Sequence, residues 1–143
     1  MNHLIQQQNL EGLIECDSAG TSSYHIGSPP DSRIIVTAQR RGIRMQGSAR
    51  QFKRHDFDRF DLILAMDRDN YHNILSLDPH QQFDDRVYLI CEFCRRHNLR
   101  EVPDPYYGGV EGFDRVLDLL TDACEGLLQY LLDQRFVAKL NKD

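Results

Sequence analysis

Asp61-Leu62-Ile63-Leu64-Ala65-Met66-Asp67 sets an unbroken apolar run between two aspartates. A strand with one wet face alternates apolar and polar residues, so a run without alternation belongs to a strand buried on both faces, as in a parallel sheet covered by helices. Asp67 is placed to cap a helix over 68–77, whose Tyr71, Ile74 and Leu75 turn inward and which Pro79 stops. Just upstream, Phe57 and Phe60 pin a brief helical turn. Downstream, Val87-Tyr88-Leu89-Ile90 is a second short apolar run, and reads as a second buried strand.

Further out the pattern repeats. Leu13 to Cys16 reads as a strand feeding the polar loop Asp17-Ser18-Ala19-Gly20-Thr21-Ser22-Ser23. Asp31 or Ser32 caps a helix reaching Arg41, with Ile34, Ile35 and Ala38 on its apolar face and Gly42 as its stop. Residues 1–10 hold helix formers but no cap, and read as the back half of a helix. Glu92 to Asn98 reads as a polar loop or helical turn. From Gly112, Phe113, Val116, Leu117, Leu120, Cys124, Leu127 and Leu131 recur at helical spacing, giving a long amphipathic helix to about Gln134; residues 135–143 form a frayed tail. Strands alternating with helices define an open α/β sheet with ligands beyond the carboxyl ends of its strands. The loops near Ser18, Asp67 and Cys91 are therefore where a site is expected.

A chain of 143 residues fits a single domain. Its formal net charge of −5, with acids and bases interspersed, offers no basic stripe for nucleic acid. No apolar run is long enough for a transmembrane helix, and the first residues lack the pattern of a secretory leader, so the reading is cytoplasmic. Cys16, Cys91, Cys94 and Cys124 are too few and too irregular for a disulfide scaffold. Cys91 and Cys94 have C-x-x-C spacing but no second pair to complete a zinc site, and no histidine pair has ligand spacing, so no metal or cofactor is expected. Cys16 and Cys124 read as small buried apolar groups.

Val102-Pro103-Asp104-Pro105-Tyr106-Tyr107-Gly108-Gly109 places one acid and two tyrosines on a stiffened frame. Both prolines fix their own φ and bias the preceding residue toward extended backbone. Such a loop suits either a ligand contact or an ordinary turn.

Taken together, Asp17-Ser18-Ala19-Gly20-Thr21-Ser22, Tyr24-His25-Ile26-Gly27 with Pro29-Pro30-Asp31, Ala49-Arg50-Gln51, Asp61 to Asp67 with Asn70, and Asp104-Pro105-Tyr106-Tyr107-Gly108 resemble, in order and spacing, the low-molecular-weight protein-tyrosine-phosphatases. The resemblance covers Cys16 to about Leu132. It implies a three-layer domain on a parallel four-stranded sheet, and hydrolysis of phosphotyrosine proteins or small aryl phosphates through a cysteinyl-phosphate. It implies that Asp104 is the general acid, that Tyr24, Tyr106 and Tyr107 wall the substrate ring, and that Ser18, Asp67 and Asn70 support the phosphate loop. Ser18 and Asp67 also suit plain caps, and Arg50 and Asn70 suit structural roles. Where many relatives have a His two residues before Ala-Arg-Gln, this chain has Gly47.

The family's phosphate loop, Cys-x5-Arg-Ser/Thr at a helix amino terminus, is not found in these residues. Cys94 to Arg100 meets the Cys-x5-Arg spacing, but its spacer lacks glycine and is expected to form a poor nest of amides. The reading is a domain lacking its first strand and phosphate loop. Either a start site lies upstream, which is the preferred account, or the chain is a non-catalytic pseudo-phosphatase that binds without turnover. An arsenate reductase of the same fold, using Cys91 and Cys94, is the alternative enzyme. The sequence leaves the oligomeric state open.

Overall fold

The unbroken apolar run becomes a short strand, β1 (Ile63–Ala65), paired in parallel with β2 (Val87–Leu89); Ile63 lies opposite Val87, Leu64 opposite Tyr88 and Ala65 opposite Leu89. The computed structural model describes residues 1–22, 27, 31–45, 47–104 and 109–134. Tyr24, Tyr106, Tyr107 and the tail from 135 lie outside the described residues.

Both faces of β1 are used. Ile63 and Ala65 point to one core, shared with Phe57, Ile74 and Val87, while Leu64 packs against a second core built on Ile90, Cys91, Leu119, Ala123 and Cys124. Side chains alternate across a strand, so two cores on opposite sides are the direct consequence of an apolar run without alternation. The sheet is thus the middle layer of a three-layer α/β domain.

On the first side lie α3 (Asp56–Arg59) and α4 (Arg68–Ser76). Phe57 stacks on Phe83 and meets Phe52 edge-on, and Tyr71 and Leu75 of α4 complete this layer. On the second side lies α5 (Gly109–Asp133), starting three residues before the expected position. It covers the 3₁₀ turn Ile90–Phe93, where β2 ends one residue sooner than its apolar run suggests. At Gly126 the approach is so close that a Cβ would sit 1.8 Å from the Phe93 carbonyl oxygen. The amino-terminal helix α1 (Asn2–Gln7) buries Ile5, and Met1 and Leu4 pack against this second core. Between the ends, α2 (Ser32–Arg40) is capped by Asp31, whose carboxylate accepts the Arg33 amide at 2.8 Å; Gly42, at φ +75°, lets the chain leave the helix. Ala38 is fully buried, and Ile34 and Ile35 are half-buried, as their spacing predicts.

One strand is corrected. Leu13 to Cys16 is not a strand. From Glu15 to Ala19 the backbone forms no backbone–backbone hydrogen bond with described residues, and the chain first joins its neighbour at Gly20, which makes a parallel bridge to Gln51. An apolar run becomes a strand only when a ladder partner lies alongside. Of the four-stranded sheet that the resemblance implies, read here as lacking its first strand, the described residues form two strands and this bridge. No described helix is long and apolar enough to cross a membrane.

Candidate active site

The carboxyl end of β1 organises the site. Asp67 leaves the strand in extended conformation and its Oδ1 accepts the Asn70 amide at 2.8 Å, capping α4 as the sequence predicts. The first amide of α4, on Arg68, donates to Glu101 Oε1 at 2.7 Å. Beside it the Val102 amide donates to the Met66 carbonyl at 2.8 Å. These two bonds bring the proline-stiffened loop against the strand end, with Asp104 exposed two residues further on. A depression of 420 Å³ opens between Asp67, Arg68 and Asp69 on one side and Leu99 to Pro103 on the other.

The loop after Cys16 is tied to the same place. Asn70 Nδ2 donates to Thr21 Oγ1 at 3.2 Å, so the residue that completes the α4 cap also holds the loop. Ser18 is exposed, and its amide donates to Asp17 Oδ1 at 2.8 Å. The other Asp17 oxygen accepts Arg50 Nε at 3.0 Å. Arg50 Nη1 reaches the Asp56 carboxylate at 3.0 and 3.2 Å, and the Lys53 amide donates to Asp56 Oδ2 at 2.8 Å. Arg50 therefore bridges an exposed loop aspartate and a buried one, a structural role. Burial pushes the Asp56 carboxyl up, but the Arg50 guanidinium and the Lys53 amide outweigh it and hold the group below its ordinary range. Gly47 sits at φ +94°, a conformation that disfavours any side chain, which gives a backbone reason for glycine at that position.

These bonds bring Asp67, Asn70 and the Asp104 loop to the end of β1 and tie Thr21, three residues after Ser18, to the same place, whereas Ser18 itself bonds to Asp17. Tyr24, Tyr106 and Tyr107 lie outside the described residues.

Cys94 to Arg100 differs from expectation in an informative way. Its spacer does form a nest: the Arg95, Arg96 and His97 amides converge at 3.0, 2.9 and 3.0 Å. The occupant is the Asp122 carboxylate, which also lies 2.7 Å from His97 Nδ1. A phosphate would have to displace a carboxylate of the protein itself. Burial, then the neighbouring Cys91 and Asp122, push the Cys94 thiol up to about 11, the reverse of an activated nucleophile. Burial likewise raises the Cys91 and Cys16 thiols. Cys124 is buried as the sequence implies, whereas Cys16 is only half-buried.

Sequence reasoning did not single out Asp56, Glu101, Thr21 or Asp122. For Asp122 a signal exists: it falls three residues after buried Leu119 and next to buried Ala123, an acid inside an apolar stripe. Asp56 similarly precedes Phe57 at the start of a helical turn. Nothing in the local sequence marks Glu101, and Thr21 stands out only as one residue of the Asp17 to Ser22 motif.

An α/β domain with an acid-bearing loop bound against the carboxyl end of its parallel sheet is of the class that binds its ligands at that end. The comparisons with known proteins narrow it. The family described as low molecular weight phosphotyrosine protein phosphatase matches residues 1–142. A Synechocystis protein of the low molecular weight protein-tyrosine-phosphatase class is 56% identical over 131 residues, covering 92% of this chain and 83% of its own. A protein tyrosine phosphatase of Entamoeba histolytica, crystallised with Hepes in its active site, superposes with a TM-score of 0.89 at 42% identity, covering 94% of this chain and 85% of that one. YfkJ of Bacillus subtilis superposes with a TM-score of 0.86 at 34% identity, over 94% of this chain and 83% of that one. The chain belongs to the low molecular weight phosphotyrosine protein phosphatase family.

Proposed function

We propose that this domain, joined to a Cys-x5-Arg-Ser/Thr loop, hydrolyses phosphotyrosine in proteins, or small aryl phosphates, through a cysteinyl-phosphate intermediate, in the cytoplasm and without a metal or cofactor. The observation that carries this reading is the Val102 amide on the Met66 carbonyl, which holds the Asp104 loop at the strand end beside Asp67. In the first step a thiolate from a Cys-x5-Arg-Ser/Thr loop attacks phosphorus, the bond from phosphorus to the aryl oxygen breaks, and Asp104 gives that oxygen its proton. In the second, the Asp104 carboxylate takes a proton from water, which attacks phosphorus and releases phosphate and thiolate. Tyr24, Tyr106 and Tyr107 flank the ring of the substrate. Ser18, Asp67 and Asn70 hold the loops beneath the phosphate, the last two through the α4 cap and Thr21. The raised thiols of Cys91 and Cys94 weigh against arsenate reduction, which needs ready thiolates.

The test uses two chains. The 143 residues alone are expected to release no phosphate from an aryl phosphate. A chain carrying the Cys-x5-Arg-Ser/Thr segment ahead of them should turn over, and Asp104→Asn in it should slow hydrolysis about 10²–10⁴-fold while leaving phosphate binding intact. Turnover by the shorter chain, lost in Cys94→Ser, would overturn the proposal, as would full activity of the Asp104→Asn protein.

A further inference from the structure

Asp122 belongs to α5, yet its carboxylate is bound by another part of the chain. It is 1% exposed, accepts three consecutive amides from Arg95, Arg96 and His97, and lies 2.7 Å from the His97 ring nitrogen. From His97 the chain runs through exposed Asn98, Leu99 and Arg100 to Glu101 and Val102, which are held by the Arg68 amide and the Met66 carbonyl. Pro103 then leads directly to Asp104. The segment before the acid is thus clamped on one side by α5 and on the other by β1 and α4, with three exposed residues between the clamps.

The geometry assigns to Asp122 the part of a positioning residue for Asp104, acting through residues 95–103. This rests on the reading of Asp104 as the general acid. A carboxylate suits the place because the groups within hydrogen-bond reach of it are donors, three amides and, when Nδ1 carries its proton, an imidazole, matched by four lone-pair sites on two oxygens, with the Arg96 guanidinium 3.8 Å away adding positive charge. An asparagine of the same size would turn an amide group toward amides. Burial opposes ionisation of Asp122, but the Arg95 amide, the His97 ring and the remaining amides hold its carboxyl below the ordinary range, consistent with an acceptor kept charged. Fixing an acid within a fraction of an ångström of its leaving oxygen is what such anchoring contributes to proton transfer.

Amide hydrogen exchange by NMR on the 143-residue chain tests this, with Asp122→Asn as the variant. The Arg68 and Val102 amides should exchange about tenfold faster, while Leu64 in β1 and Ile74 in α4 stay within about twofold. The ¹³C signal of the Asp104 carboxyl should move as well. Faster exchange confined to residues 95–97, with Val102 and the Asp104 signal unchanged, would overturn the inference. Equal acceleration at Leu64 would also overturn it, since Asp122 would then serve global stability alone. Should Asp122→Asn fail to fold, His97→Gln removes the ring contact and leaves the amides; it should give the same pattern at smaller amplitude, and no change at Val102 would count against the proposal. None of these readouts requires turnover, so an Asp104→Asn chain that remains fully active would defeat the acid assignment while leaving the exchange result standing.

Discussion

Asp56 and Arg50 show how much can hang on one pair of side chains. Asp56 has 1% of its side chain exposed and Arg50 33%, so removing the guanidinium strands a charge that has already left water. Breaking a buried pair costs about 3–5 kcal/mol; the Lys53 amide and the partial exposure of Arg50 bring Arg50→Met to the lower edge of that range or just below it, about 2–3 kcal/mol, read as a shift in the urea midpoint. The same residues set the response to acid. Asp56 and Asp122 both titrate below their ordinary value when folded, so the unfolded chain takes up their protons first. Their contribution is complete above about pH 5 and is lost as pH falls through about 4 and below. Urea midpoints measured between these values should fall with pH, and the Asp122→Asn chain should show a shallower fall. At this scale legibility depends on range. The cap at Asp67 is readable because donor and acceptor are three residues apart. The partners of Asp122 lie 25 to 27 residues away, and only the fold brings them together.

Elements were legible in proportion to how much of their stability is local. α2, α4 and α5 announce themselves through caps and apolar spacing, and all three form. β1 and β2 were visible as short apolar runs, because burial on both faces leaves no alternation to disguise. Leu13 to Cys16 has the same local character and still forms no strand among the described residues, because no ladder partner lies alongside it, a condition that its own apolar run does not report. The crossing of α5 over the Ile90–Phe93 turn was equally hidden, because Gly126 reads as an ordinary weak point in a helix. It predicts an inversion of the usual rule. Ala is favoured over Gly in a helix by about 1 kcal/mol. Here the added methyl meets the Phe93 carbonyl, a backbone atom that cannot turn aside, so Gly126→Ala should destabilise by about 1–3 kcal/mol net in urea denaturation.

At the scale of the molecule, the α/β class and the two-sided sheet followed from the apolar run around Ile63, and the ordered motifs pointed to the family that the comparisons identify. Less legible was the way distant segments share a core. Met1 and Leu4 pack against the cluster formed by Leu119, Ala123 and Cys124, so α1 has its partner near the other end of the chain. By contrast, β1, α4 and β2 lie within residues 63–89. On the ribosome this separation becomes a delay: at about 5–20 residues per second, α1 emerges some 6–23 s before the helix it packs against. Only in the last part of that interval, once residue 89 has emerged, does the central unit have all its pieces, and the apolar side of α1 is still uncovered then, exposed to any chaperone that samples the nascent chain.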